Sequence, residues 1–151
     1  MSDFLKRDDL VFAGLPAKFS FGIRDRVRFH EIDALNHVNN IAYLRWTENL
    51  RVNMLPHIGL GSFAGEKRNI VLRAQDIEYF APMHLFDDYI VAARCSRIGN
   101  SSLDMEYEVH CKGVVTVRVT SQIVMVNAAM TASMRIPDEA RAIILEIDGI
   151  R

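Results

Sequence analysis

Residues 40–55 read NIAYLRWTENLRVNML, and the reading of this stretch decides the fold. Ile41, Tyr43, Leu44, Trp46, Leu50 and Met54 recur at three- and four-residue spacings, interrupted by Arg45, Glu48, Asn49 and Arg51. That period gathers the apolar and aromatic side chains onto one broad face of an α-helix. Asn39 or Asn40 can cap its start, and Pro56 ends it.

Working outward, residues 19–29 (FSFGIRDRVRF) alternate towards their end, with Val27 and Phe29 on one face and Arg26 and Arg28 on the other. A half-buried strand has this pattern. After the helix, residues 57–69 (HIGLGSFAGEKRN) carry three glycines and read as a loop. Four strand-like runs follow, at 70–80, 88–98, 101–110 and 114–126, separated by APMHLFD, Gly99-Asn100 and Lys112-Gly113. The tight connection IGNSS predicts a hairpin between the runs at 88–98 and 101–110. A last helix, PDEARAIILEI, opens with Pro137 in its first turn and with Asp138 and Glu139 near the positive end of its dipole. The order predicts an α+β fold in which an antiparallel sheet packs on a long helix. With no repeat or linker, residues 1–151 read as one domain: a core over 19–137, an N-terminal extension over 1–18 and a C-terminal helix over 137–148.

Composition narrows the function. Half of the 151 residues are apolar, which excludes a disordered chain, and that length buries enough surface to need no disulfide or metal staple. The formal net charge is -1 with both signs mixed along the chain, so no basic face points to nucleic acid. Cys95 and Cys111 lie in strand-like runs without metal-ligand spacing and read as buried, reduced thiols, with a cross-strand disulfide as the alternative. The N-terminus lacks an apolar run of signal-peptide length, and no stretch approaches the roughly 18 apolar residues of a membrane span. The expected location is the cytoplasm.

Two segments carry a resemblance. DALNHVNNIAYLRWTENLR and DIEYFAPMHLFDDYIVAARCSRIGNSSLDMEYEVH resemble the hotdog-fold thioesterases of the 4-hydroxybenzoyl-CoA and acyl-CoA thioesterase group, and NHVNNIAYLRW is also similar to the plant acyl-carrier-protein thioesterases. The matching residues are Asp33 with Tyr43 ten residues on, then Tyr79, Pro82 and Asp87 or Asp88, and more weakly Arg135-Ile136-Pro137. The resemblance covers about residues 20–137. It implies a sheet wrapped around the central helix, and a homodimer or a dimer of dimers with active sites at the subunit interface. The substrate it implies is acyl-CoA or acyl-ACP, and no bound cofactor or metal is needed.

The chemistry concentrates in residues 30–43, HEIDALNHVNNIAY. A zincin needs HExxH, but after His30 and Glu31 the next histidine is His37, seven residues beyond His30, so metal is set aside. His30 reads as the satisfied or solvent-facing end of a strand, and Glu31 as a solvated charge or salt-bridge partner. Thioester hydrolysis needs a nucleophile or a base for water, together with donors for the negative charge on the carbonyl oxygen. An aspartate is ordinarily ionised at neutral pH, so Asp33 can attack or activate water, while amides near Asn39 and Asn40 at a helix start can receive the oxygen. The resemblance implies the same roles: Asp33 as the reactive acid, the amide of Asn40 polarising the carbonyl, and His37 orienting water or substrate. Leu35 departs from the plant pattern, which has Asn there; in this chain the Asn is Asn36.

Each residue also has a plain reading. Asp33 can be a turn residue or cap, His37 a packed loop histidine, and Asn39 and Asn40 simple caps. Tyr43 is expected to pack under the loop, Glu48 to bridge to Arg51 or across a subunit interface, and Trp46 to lie in core or interface. Asn36, Asn39, Tyr43 and Arg73 are the substrate-binding candidates, and Lys67, Arg68, Arg73 and Arg97 the cations available to coenzyme A phosphates. The leading expectation is an acyl thioester hydrolase. Its alternatives are a hotdog protein that binds acyl thioesters or apolar ligands without turnover, and a hotdog hydratase or dehydratase.

Overall fold

The computed structural model describes residues 2–61 and 69–150. The expected helix runs Asn40–Met54 (α2) and continues as a tight 3-10 turn, Leu55–Ile58, with Pro56 inside it. Proline suits the start of a new turn, where its missing N–H has no partner to lose. The buried face of α2 consists of Ala42, Tyr43, Trp46, Thr47, Leu50, Arg51 and Met54. Ile41, read from the sequence as part of the apolar face, is instead 59% exposed, and Arg51, read as an interruption, is buried. The guanidinium of Arg51 donates to the hydroxyl of Tyr107 at 3.1 Å and lies 3.9 Å from Glu48, the ion pair expected from their spacing.

A six-stranded sheet packs against this helix. Its strands are β1 (Asp3–Lys6), β2 (Phe21–Arg26), β3 (Asn69–Tyr79), β4 (Asp88–Ile98), β5 (Ser102–Cys111) and β6 (Val114–Val126). They pair antiparallel in the order β1-β2-β4-β5-β6-β3. The predicted β4–β5 hairpin is present, with Ile98 opposite Leu103. Lys112 and Gly113 connect β5 to β6 with φ of 53° and 76°, the paired left-handed conformation that matches the twist of a two-residue hairpin. Phe21, Ile23, Val91, Ala93, Tyr107, Val117 and Ile123 turn inward to meet Trp46, Leu50 and Met54 in one core. Cys95 and Cys111 are free, buried thiols.

Further sequence expectations change. The first strand stops at Arg26, not at residue 29: the chain leaves the sheet, Phe29 is 81% exposed, and His30 sits in a 3-10 turn, Phe29–Glu31. The N-terminal 18 residues supply β1 and a short helix, Arg7–Phe12 (α1), which the sequence did not reveal. Leu5, Leu10, Leu15 and Phe19 pack there on Ala92, the β4 residue facing away from α2, as a second small hydrophobic layer. Elements this short carry too few residues to display a period. Finally, Pro137 is the cap residue before the last helix, Asp138–Asp148 (α3), which buries Ala140 and Ile144.

Candidate active site

The segment between Glu31 and α2 is a closed loop made by its own polar residues. Asp33 N–H donates to the carbonyl of His37 at 2.9 Å, and Asn36 N–H to the carbonyl of Asp33 at 3.1 Å. Asp33 Oδ1 accepts the amides of Leu35 at 2.8 Å and His37 at 3.4 Å. This is an Asx turn, and Asn36 takes the left-handed conformation at φ 61° that Asn tolerates better than most residues. Both readings of Asp33 therefore meet in one residue. Oδ1 holds the turn, while Oδ2 has no protein donor among the described residues.

The start of α2 is capped by Asn39, whose side chain accepts the amide of Ile41 at 3.0 Å. The amide of Ala42 donates to the carbonyl of Asn39 at 2.9 Å, and that of Asn39 to the carbonyl of Glu31 at 2.7 Å. Among the described residues, the amide of Asn40 is left without a protein acceptor. A helix N-terminus concentrates partial positive charge on such donors. Glu31, expected as a solvated charge or a salt-bridge partner, is instead tied down by hydrogen bonds: one carboxylate oxygen accepts the indole N–H of Trp46 at 2.8 Å and the other the amide of Arg28 at 2.8 Å.

An open groove of about 310 Å³ is lined by Asp33, Leu35, His37, Val38, Asn40, Tyr43 and, from the end of β3 and the segment after it, Tyr79, Phe80, Ala81 and Pro82. The structure thus brings Asp33, His37, Asn40 and Tyr43 to one surface; Asn36 and Asn39 shape it from behind as turn and cap. The hydroxyl of Tyr79 donates to the carbonyl of Asn40 at 3.2 Å, and its ring meets Tyr43 edge-on at 5.8 Å. Burial, with Tyr79 close by, pushes the Tyr43 phenol up to about 12, and burial also raises that of Tyr79. Both stay protonated at neutral pH. Trp46 is core, stacked on Tyr89 at 3.9 Å.

The basic candidates fare differently. Arg73 is exposed and donates to Gln122 at 3.1 Å, and Arg97 is held by Asp104, with Nη2 3.0 Å from Oδ1; neither lines the groove. Lys67 and Arg68 lie outside the described residues. A cation that sequence reasoning passed over, Arg118, sits over the ring of groove-lining Phe80 at 5.4 Å. Its position on a strand opposite the groove segment leaves no local sequence signal. Among the described residues, no three His, Cys, Asp or Glu side chains converge as a metal site, and no helix is long and apolar enough to cross a membrane.

An antiparallel sheet packed against a central helix, with polar residues gathered where that helix begins, defines the hotdog class of fold. The chain belongs to the Thioesterase-like superfamily, whose family model matches residues 27–144. A solved thioesterase superfamily structure from Jannaschia sp. CCS1 superposes with a TM-score of 0.92 at 31% identity, covering 98% of this chain and 95% of that one. A thioesterase from Thermus thermophilus, solved in complex with coenzyme A and Zn, aligns with a TM-score of 0.72 at 26% identity over 85% of this chain and 95% of its own. The Bacillus subtilis protein YsmA is 25% identical over 99 residues, 66% of this chain and 67% of that protein.

Proposed function

We propose that this protein hydrolyses acyl thioesters carried on coenzyme A or acyl carrier protein, with Asp33 as the reactive acid. The observation that supports it most is the pairing, in one groove, of the Asp33 carboxylate with the start of α2, where the Asn40 amide has no protein acceptor among the described residues. The thioester carbonyl oxygen points at that amide, and the charge that develops on it is stabilised by the helix start; a donor of this kind contributes roughly 3 to 4 kcal/mol in the transition state. Asp33 Oδ2 then takes one of two routes. It attacks the carbonyl carbon, expelling the thiolate and leaving an acyl anhydride for water to cleave, or it removes a proton from a water that attacks directly. Both routes end in a carboxylic acid and a thiol. His37 orients the water or the substrate, and Tyr43 and Tyr79 wall the groove as neutral phenols.

The working form in this reading is a homodimer or a dimer of dimers. It is supported by the edge position of β3 in the sheet and by the exposure of Leu35, Ile41, Tyr79 and Phe80 around the groove.

The test is thiol release from acyl-coenzyme A esters of graded chain length and from aromatic esters. Asp33→Asn keeps an oxygen for the Asx turn and removes the anion, so it separates chemistry from folding. Hydrolysis by the wild type with a loss of about 100- to 10,000-fold in Asp33→Asn is the expected result. Equal rates in both place the chemistry elsewhere. Tight ester binding without product by the wild type makes the protein a binding module.

A further inference from the structure

Residues 81–87 read from the sequence as a plain turn, yet they bring a second imidazole to the rim of the groove. The ring of His84 stands 5.3 Å from that of His37 at an interplanar angle of 80°, an edge-to-face pair. The ring nitrogens of His37 have no hydrogen-bond partner among the described residues; its backbone is tied to Asp33, but its ring is held by contacts alone. His84, by contrast, has an anchored backbone beneath an exposed ring. Its amide donates to Asp87 Oδ2 at 2.9 Å and its Nδ1 lies 3.8 Å from the same oxygen. The amide of Asp87 returns to the carbonyl of His84 at 3.1 Å, closing a four-residue turn in which Phe86 adopts φ 66°. Such a conformation is rare for a bulky side chain and persists where its surroundings over-determine it. Here they do: Asp87 is buried and ion-paired to Lys112 at 2.8 Å, Phe86 N–H donates to the carbonyl of Val27, and Val38 N–H donates to the carbonyl of Met83 at 2.8 Å, joining this turn to the loop that carries His37.

We propose that His84 is a positioning residue: its half-exposed ring, carried on the backbone-tied 84–87 turn, packs edge-to-face on His37 and holds that imidazole at the groove. The inference rests on reading the groove as the active site. A catalytic group displaced by as little as an ångström can lose much of its effect on rate while ground-state binding is kept. The loss therefore falls on kcat more than on KM.

The experiment compares the wild type, His84→Ala and His84→Phe on the acyl-coenzyme A ester that the wild type hydrolyses fastest. It also follows the His37 ring proton by NMR, assigned by its disappearance in His37→Gln. In His84→Ala, kcat falls about tenfold with KM within about twofold, and the His37 resonance moves as its ring neighbour is lost. In His84→Phe, which restores an aromatic partner, most of kcat returns. Wild-type kcat in His84→Ala, or the same loss in both variants, overturns the proposal. If the wild type hydrolyses no ester, the functional reading fails by itself, and the NMR arm still decides: an unmoved His37 resonance in His84→Ala overturns the positioning role.

Discussion

The indole N–H of Trp46 donates to Glu31 Oε1 at 2.8 Å, joining the buried face of α2 to the turn that leads into the groove. The other Glu31 oxygen closes that turn on the amide of Arg28, and the Glu31 carbonyl accepts the amide of the helix cap Asn39. One residue thus sets the register between the core and the Asp33 loop.

Removing this carboxylate leaves a half-buried indole N–H and a backbone amide unpaired, which typically costs about 1 to 3 kcal/mol. Glu31→Ala is expected to lower the urea midpoint by a corresponding amount and to change Trp46 fluorescence, whereas Glu31→Gln, which keeps both acceptor positions partly served, loses less. Equal unfolding midpoints for Glu31→Ala and the wild type would show that the tie contributes nothing.

Asn39 caps α2 through a 3.0 Å bond to the Ile41 amide. Asn39→Ala is expected to destabilise the protein by about 0.5 to 2 kcal/mol, and Asn39→Asp, another good cap, to restore most of it. Denaturant titration of the three proteins checks the order. Under the proposed function, thioester hydrolysis is expected to fall in Asn39→Ala as well, because fraying the first turn displaces the Asn40 amide at the groove.

Asp148, at the end of α3, accepts the amide of Cys95 at 3.0 Å beside the bulge in β4. Burial raises its carboxyl above the ordinary 3.8, against the pull of Ser20, the Cys95 amide and Arg7. An acid whose pKa is higher folded than unfolded binds its proton more tightly when folded. Its favourable contribution is present below the unfolded value and is lost as pH rises through the folded one. Asp148→Asn keeps an acceptor and carries no charge. Its melting temperature relative to the wild type is expected to rise with pH from about 3, then level off once the wild-type group has ionised. A difference that stays constant over that span would contradict the assignment.

Reading the chain alone was enough for α2, the four long strands that follow it, the β4–β5 hairpin and the short list of polar residues before the helix. These are local properties: a 3.6-residue or two-residue period over ten or more residues, and turn residues at fixed offsets, are visible wherever the chain is read. Long-range packing settled the rest. It turned Ile41 out and Arg51 in, because the hydroxyl of Tyr107, 56 residues away, gives the guanidinium a buried partner. It added β1 and α1, whose few residues gain order by pairing with β2 and packing on Ala92. It also assembled the groove, because Tyr79, Phe80 and Pro82 reach Asp33 and Asn40 only when the end of β3 and the segment after it pass the start of α2, and it set His84 against His37. Contacts between residues this far apart in the chain depend on the packing of the sheet on the helix, for which no local pattern in the sequence stands proxy.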